Sequence, residues 1–244
     1  MIKICKSYNY VGILLARYYL ESGNISPFIK EILKYYRSKS FREFYDFNES
    51  AFQTAVEMLI RPESRVSEMR LVKNVNKGSR GRYGFSDIFV IGYDERGFKS
   101  NVVLELKYLS LKGLLGGKNN KLVKNSNYNE LKELDDKICK ESEETIFKRQ
   151  YYFWSKDDKK YKLTFVRKII DLGEDQLKNY IKVIKKEQCA VNNNKIGVLD
   201  ERINMELGNS ILGGWLLVSL GSRRIITRKI EFKKMDHRFT IINK

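Results

Sequence analysis

The 244-residue chain is 42% hydrophobic, enough to bury one good core with a small appended subdomain. Its 47 Lys and Arg residues outnumber its 30 Asp and Glu residues and give a formal net charge of +17, so polyanions are the expected partners. One histidine and three scattered cysteines exclude multi-histidine metal sites, Ser/His/Asp hydrolases, zinc fingers and disulfide frameworks.

Two amphipathic helices are predicted near the N-terminus, over residues 10–21 and 27–36, because stripes of Ile, Leu and Tyr recur at helical spacing. A stretch of Ser, Lys and Arg at residues 38–42 follows and marks a candidate boundary. We therefore expect an N-terminal helical extension over residues 1–47 and a main domain over residues 48–244.

A third helix is predicted over residues 48–60, with Asn48 as its N-cap and Pro62 just after its end. Glu49 places a carboxylate in the first turn of this helix. A strand is predicted next, over residues 66–75.

The loop at residues 77–84 contains three glycines and three cations. A flexible backbone that carries Arg80 and Arg82 suits contact with phosphate groups. A solvated loop of the same composition is about as common, so both interpretations of this loop stay open.

Two strand-like runs, residues 87–93 and 101–108, flank a polar turn and predict a β-hairpin. Antiparallel pairing brings Asp87 opposite the stretch that contains Glu105 and Lys107, and the two-residue repeat places the latter two on one face. Their apolar neighbours indicate interior strands, where an unpaired charge is costly. The three charges therefore indicate either a structural ion pair or a cation site, and the residues alone favour neither.

Residues 112–160 form a polar, lysine-rich insertion, within which residues 129–147 predict a helix. Four consecutive aromatic residues at 151–154 adjoin several lysines. These aromatic side chains can either stack on nucleic-acid bases or pack the insertion onto the core, and packing is the favoured interpretation.

Another helix is predicted over residues 175–184, where apolar residues again recur at helical spacing. Gln176 and Tyr180 are four residues apart, which makes them neighbours on the helix surface. Many polar helices carry such a pair, so its meaning depends on its position after the two hairpin strands.

A second hairpin is predicted over residues 214–228, with Gly221-Ser222 as a two-residue type II′ turn. Arg223 and Arg224 at this corner are candidate contacts to a nucleic-acid backbone. The basic tail after residue 232 is expected to fray.

The first hairpin resembles the signature of the PD-(D/E)XK nuclease superfamily. Ser86-Asp87 stands where the superfamily carries Pro-Asp, and Glu105-Leu106-Lys107 resembles its (D/E)XK tripeptide. The proline that is missing here does no chemistry in such a site.

The helix with Gln176 and Tyr180 resembles the Gln-x-x-x-Tyr helix of superfamily branches related to recombination and repair exonucleases. The order of elements, a helix, a strand, a hairpin, a helix and two strands, resembles the superfamily core over residues 48–230. More narrowly, the chain resembles the nuclease domain often attached to predicted AAA-type ATPases. No Walker motif is present, so an ATPase partner would either be a separate chain or have been lost.

The resemblance implies an α/β fold with a restriction-endonuclease-like core, in which helices flank a mixed β-sheet of about five strands. It also implies a nuclease that hydrolyses phosphodiester bonds, DNA being the first expectation, with Mg²⁺ or Mn²⁺ as the metal. The implied ligands of that metal are three carboxylates and one backbone carbonyl: Asp87, Glu105, Glu49 and Leu106.

Lys107, on the same resemblance, positions or deprotonates the attacking water, and we hypothesise a lowered pKa for its ammonium group. Gln176 and Tyr180 orient the carboxylates or the phosphate. Glu57 and Glu68 compete with Glu49 for the role of the acidic residue from the first helix.

Two other classes of function remain open alongside the nuclease. The alternative is a nucleic-acid-binding module that retains the fold without cleaving, and a third class is a helix-rich interaction protein; a homo-oligomer is also open. No apolar run approaches the roughly 18 residues of a membrane span, and no signal peptide is evident. We therefore expect no membrane association and an intracellular location, cytoplasmic or nuclear.

Overall fold

The computed structural model describes residues 24–73, 83–93, 99–115, 127–155, 158–186 and 196–242. The helices of these residues are α1 (Ser26–Arg37), α2 (Glu49–Glu57), α3 (Leu111–Leu115), α4 (Tyr128–Lys140), α5 (Glu143–Phe147) and α6 (Val166–Ile184). The strands are β1 (Arg65–Val72), β2 (Tyr83–Tyr93), β3 (Lys99–Leu109), β4 (Gln150–Ser155), β5 (Lys160–Phe165), β6 (Gly197–Val198), β7 (Ile203–Leu220) and β8 (Arg224–Ile241). None of the helices in these ranges has both the length and the apolar content to cross a membrane.

A mixed six-stranded sheet lies at the centre of the fold, in the order β6-β1-β2-β3-β7-β8. Strands β1, β2 and β3 are antiparallel neighbours, β7 is parallel to β3, and β8 returns antiparallel to β7. The predicted mixed sheet is confirmed, but it has six strands rather than about five. The additional strand β6 has two residues, too few for any periodicity to reveal.

Helices cover both faces of the sheet, and alternate residues of β2 and β3 divide between them. Phe89 and Val103 pack in one hydrophobic cluster with α4, α5 and α6. Ile88 and Leu104 pack in a second cluster with α1 and α2. Every residue of β3 except Lys107 is buried, which agrees with the predicted interior position of the hairpin strands.

The first two helices that the structure describes agree closely with their predicted ranges. Helix α1 covers the predicted residues 27–36, and its buried side chains lie in the same cluster as Phe52 of α2. Asn48 caps α2 as predicted, because its side-chain oxygen accepts the Ala51 N–H at 3.0 Å. The predicted helix at residues 10–21 lies outside the described residues.

The insertion contains more structure than its sequence predicts. The predicted helix over residues 129–147 is two helices, because Glu141 is extended and Ser142 caps α5 by accepting the Thr145 N–H at 3.3 Å. Strands β4 and β5 then form a separate two-stranded sheet. Its runs of adjacent aromatic residues carry no clear two-residue alternation, so the hairpin was not predicted.

Helix α6 begins at Val166, nine residues before the predicted start at residue 175. Gly173 lies inside the helix rather than before it. A Cβ at this position would lie 2.9 Å from a Leu216 methyl group, so the glycine permits close contact between helix and sheet. Tertiary packing here overrides the low helix propensity of glycine.

The C-terminal hairpin is longer than predicted, with 18 residues in each of β7 and β8. The expectation that the tail after residue 232 frays is wrong, because Met235, His237 and Phe239 are buried on one face of β8. The prediction of a two-residue turn is also wrong. Leu220 pairs with Arg224, which leaves a three-residue turn that begins with Gly221 at φ +58°.

Candidate active site

The candidate site lies where β2 and β3 separate. Their paired register reaches Ile88 opposite Leu104. One residue further, the Asp87 carboxylate accepts the Leu106 N–H at 2.6 Å in place of a backbone carbonyl. Because the N–H and C=O groups of a strand residue point to the same side, the Leu106 carbonyl is also directed towards this gap.

The three charges of the hairpin do meet, as the predicted register requires. The Lys107 Nζ donates to Glu105 Oε1 at 2.7 Å and lies 3.6 Å from Glu49 Oε1. The Glu105 side chain is 0% exposed, and its Oε2 has no hydrogen-bond partner among the described residues. A fully buried carboxylate with one unpaired oxygen is costly unless a further cation or proton satisfies it.

Glu49 reaches the site from the first turn of α2. Its Oε2 accepts the Tyr108 N–H at 3.4 Å, so both carboxylate oxygens face the end of β3. Glu57 points elsewhere, 3.5 Å from Arg65. Of the three acidic candidates, Glu49 is therefore the one that contacts Lys107.

Glu68 lies on the other side of Asp87, on β1. It occupies the register position opposite Asp87, between the pairs Ser67/Ile88 and Met69/Ser86. Its φ of +50° interrupts the ladder there, a conformation that a non-glycine residue seldom adopts. The negative charge of Glu68 adds to those around the gap.

Helix α6 brings Tyr180 and Gln176 to the face of the sheet that carries the site carboxylates. The two side chains are neighbours as predicted, with Gln176 Nε2 donating to the Tyr180 hydroxyl at 2.8 Å. Burial and the charge of Glu105 raise the pKa of Tyr180, which keeps the phenol protonated. Tyr180 thus offers a neutral hydroxyl beside the carboxylates.

The carboxyl groups of the site titrate far above their ordinary range. Burial raises the pKa of Asp87 to about 6, against the opposing effect of Lys107. Burial and the charge of Asp87 raise the pKa of Glu105 to about 8. The two acids thus hold protons more tightly than exposed carboxylates do.

The hypothesis of a lowered Lys107 pKa is wrong. Burial acts to lower the pKa of Lys107, but the negative charges of Glu105 and Glu49 outweigh it and raise the pKa above its usual value. The side chain is therefore an ammonium group at neutral pH. As an ammonium group it can offset negative charge and donate hydrogen bonds.

In the part of the chain that the structure describes, no group of three or more His, Cys, Asp and Glu side chains is arranged to hold a metal ion. The oxygen donors at the gap are two carboxylates, Asp87 and Glu105, and the Leu106 carbonyl between them. Hard oxygen donors of this kind suit Mg²⁺ or Mn²⁺. The unpaired Oε2 of Glu105 and the pKa values raised by burial agree with carboxylates that Lys107 neutralises only in part.

Two further residues line this face and were not predicted. A Cβ on Gly84 would lie 2.9 Å from Tyr180 Cε1 and 2.8 Å from Lys73 Cδ, so only glycine lets both side chains approach. The Lys73 ammonium lies 5.9 Å from the centre of the Tyr180 ring. Neither residue carries a local signal, because their proximity depends on the pairing of β1 with β2 and the docking of α6.

Of the four candidate nucleic-acid contacts, the structure describes Arg223 and Arg224. Arg80 and Arg82 lie outside the described residues. Arg223 is bound by α4, with its Nε 3.4 Å from Asp135 and a second contact to Asp136. Arg224 is half-buried at the start of β8.

Comparisons with known proteins identify no relative of this chain. No protein-family model matches the chain, and no curated protein or solved structure matches it either.

Proposed function

We propose that the protein is a metal-dependent nuclease that hydrolyses phosphodiester bonds in DNA. The observation that carries the proposal is the meeting of Asp87, Glu105 and Lys107 at a gap between two interior strands. One oxygen of Glu105 is buried there and has no hydrogen-bond partner among the residues that the structure describes. Such a charged group costs stability in a sheet interior, and a functional role explains why the fold retains it.

The arrangement of the elements supports a restriction-endonuclease-like core of the PD-(D/E)XK type. Helix α2 precedes the antiparallel strands β1, β2 and β3, and α6 leads to β7, which is parallel to β3. The resemblance found in the sequence implies this order. The long insertion between β3 and α6 and the sixth strand are additions to it.

The residues at the gap fit a divalent cation. Asp87, Glu105 and the Leu106 carbonyl would hold it, with Glu49 next to them. When bound, Mg²⁺ or Mn²⁺ supplies Lewis-acid stabilisation of charge on the phosphate and makes water more acidic. This cation would also satisfy the buried Oε2 of Glu105, to which no described residue donates a hydrogen bond.

The side chains of the protein contribute electrostatics and positioning. Lys107 is a permanent cation held between Glu105 and Glu49, so it can donate to a phosphate oxygen or to the attacking water. Asp87 is fixed by its hydrogen bond from the Leu106 N–H. Tyr180, held by Gln176, can donate its hydroxyl to a carboxylate or to the phosphate.

The test is cleavage of plasmid DNA in Mg²⁺ or Mn²⁺ by the unmodified protein and by Asp87→Asn and Lys107→Ala. Removing a group that stabilises transition-state charge costs about 100-fold or more in rate, so we expect losses of that size in both variants and no cleavage in EDTA. Lys182→Ala, which removes an exposed lysine of α6, is the control. Equal cleavage by all four proteins would rule the proposal out.

One observation favours a second function, a nucleic-acid-binding module that does not cleave. Lys107 already bridges Glu105 and Glu49, so an internal cation offsets part of the negative charge. In that case Asp87→Asn and Lys107→Ala would leave DNA affinity unchanged, and no metal would produce cleavage.

A further inference from the structure

The β4–β5 hairpin has two unlike faces. Cross-strand partners lie on the same face of an antiparallel pair, and Tyr152 pairs with Leu163 and Trp154 with Tyr161. The aromatic face of the hairpin consists of these four residues and Phe165. Trp154 is 52% exposed, Leu163 46% and Phe165 49%.

The opposite face attaches the hairpin beside the candidate active site. The Tyr151 hydroxyl accepts the Ser110 N–H at 3.3 Å, and its ring packs so closely on Gly113 that a Cβ there would lie 2.4 Å from it. Ser110 lies three residues beyond Lys107. At about 3.3 Å per strand residue, Trp154 is roughly 10 Å along β4 from this anchor.

Positive charge lies beside the Phe165 end of the aromatic face. Residues 148–168 contain eight Lys and Arg residues and two Asp residues. A cleft of about 670 Å³ adjoins Phe165. Its lining includes three cations and two acids: Lys148, Arg167, Lys168, Glu144 and Asp171.

Exposed aromatic rings beside cations match one class of ligand, a nucleic acid with unpaired bases. Such a strand offers flat base surfaces to the rings and phosphates to the lysines. Trp154 and Tyr161 contact each other edge to face, with ring centres 5.2 Å apart, rather than stacking on one another. A duplex hides its base surfaces inside the helix and so matches the face less well.

We propose that the aromatic face binds the bases of a single-stranded segment and presents that strand to the candidate active site. The proposal rests on the proposed function in that it names the form of the nucleic-acid substrate. Trp154 and Tyr161 supply stacking surfaces, and Lys148 and Lys168 beside Phe165 contact phosphates without reading sequence.

The test measures binding separately from cleavage. The protein carries Asp87→Asn, to block cleavage, and Trp215→Phe, which leaves Trp154 as the single tryptophan because the chain has two. In EDTA, a fluorescein-labelled 12-nucleotide oligothymidine is titrated and its anisotropy is recorded. Unlabelled oligothymidine is titrated in parallel, and base stacking should quench the Trp154 fluorescence.

Adding Trp154→Ala should raise the Kd for oligothymidine about 10-fold, within the range typical for loss of one stacked base. It should leave the Kd for an abasic 12-mer unchanged, because that ligand keeps its phosphates and lacks bases. Leu207→Ala, which removes a side chain that is 92% exposed on β7, is the control and should change neither value.

Three outcomes would overturn the inference: an unchanged Kd for oligothymidine, an equal loss for the abasic strand, or a Trp154-dependent dimer in sedimentation. The last would mean that a second copy covers the face. Cleavage of plasmid DNA without base-dependent binding would refute this inference alone. Base-dependent binding without cleavage would refute the nuclease alone.

Discussion

Glu105 shows how a single residue can lower stability and still serve the site. Its side chain is 0% exposed, Lys107 satisfies one of its two oxygens, and the other has no hydrogen-bond partner in the described part of the chain. A buried, partly satisfied carboxylate is destabilising relative to a neutral group of the same shape. This loss of stability should make the free energy of unfolding depend on pH.

We predict that the metal-free protein loses stability as the pH rises from about 4.5 to 8. The pKa of Glu105 is raised from 4.5 to about 8, and that of Asp87 from 3.8 to about 6. Across this window the folded state keeps protons that the unfolded state has released, so rising pH favours unfolding. Lys107 is fully charged in both states here and contributes no slope.

Urea unfolding in EDTA at pH 5 and pH 8 measures this effect. Glu105→Gln should flatten the fall in stability with pH, by on the order of 1–3 kcal/mol across the window. Glu130→Gln, which changes an exposed acid of α4, should leave the slope as it is. A Glu105→Gln protein with the original slope would show that Glu105 does not hold the proton.

The turn between β7 and β8 is stabilised by helix α4. Asp135 of α4 is 1% exposed and accepts both the N–H and the hydroxyl of Ser222, at 2.9 and 2.5 Å. It also contacts Arg223. Because this turn lies against the end of β3, through the Gly221 N–H to Leu109 carbonyl bond, α4 stabilises the sheet edge next to the site.

We predict that Asp135→Ala lowers the free energy of unfolding by about 1–3 kcal/mol, because the buried Ser222 groups lose their acceptor. Asp136→Ala, a neighbouring acid that is 44% exposed, should change it by less than about 0.5 kcal/mol. Urea unfolding of the two variants makes the comparison. Equal effects would mean that Asp135 acts only as a surface charge.

At the scale of elements, local patterns predicted the site better than its surroundings. The turn and the strand periodicity of β2 and β3 place Asp87 opposite Glu105 without knowledge of the rest of the chain. Contacts between elements that are distant along the chain left no local pattern in the sequence. The closeness of Gly84 and Lys73 to Tyr180 becomes apparent only once α6 is placed against the sheet.

The failed element boundaries have the same cause. Residues beyond 232 look like a polar tail because each buried residue of β8 alternates with a charged or polar one. Only the partner strand β7 shows which face is inside. Gly173 looks like a helix boundary until Leu216 of the sheet is placed against it.

For the whole molecule, the net charge of +17 should make nucleic-acid binding strongly dependent on salt. With roughly four phosphate contacts, the Kd of Asp87→Asn for oligothymidine in EDTA should rise about 50-fold between 50 and 200 mM NaCl. Lys168→Ala, at the cleft beside Phe165, should reduce the slope of log Kd against log salt by about 0.7. Lys34→Ala on α1, which is 77% exposed, should leave it unchanged.

A Kd that does not change with salt would show that the charge only keeps the protein in solution. That result would also remove the main support for phosphate contact at the hairpin.

The parallel pairing of β3 with β7 bears on when the protein can become active. Lys99 pairs with Ser210, 111 residues further along the chain. During synthesis, the Asp87 and Glu105 strands therefore leave the ribosome long before the strand that completes their sheet, and contacts of such separation form slowly. The sheet around the candidate site is thus complete only after β7 has been made, and a chain that stops before β7 would lack the strand that covers this side of β3.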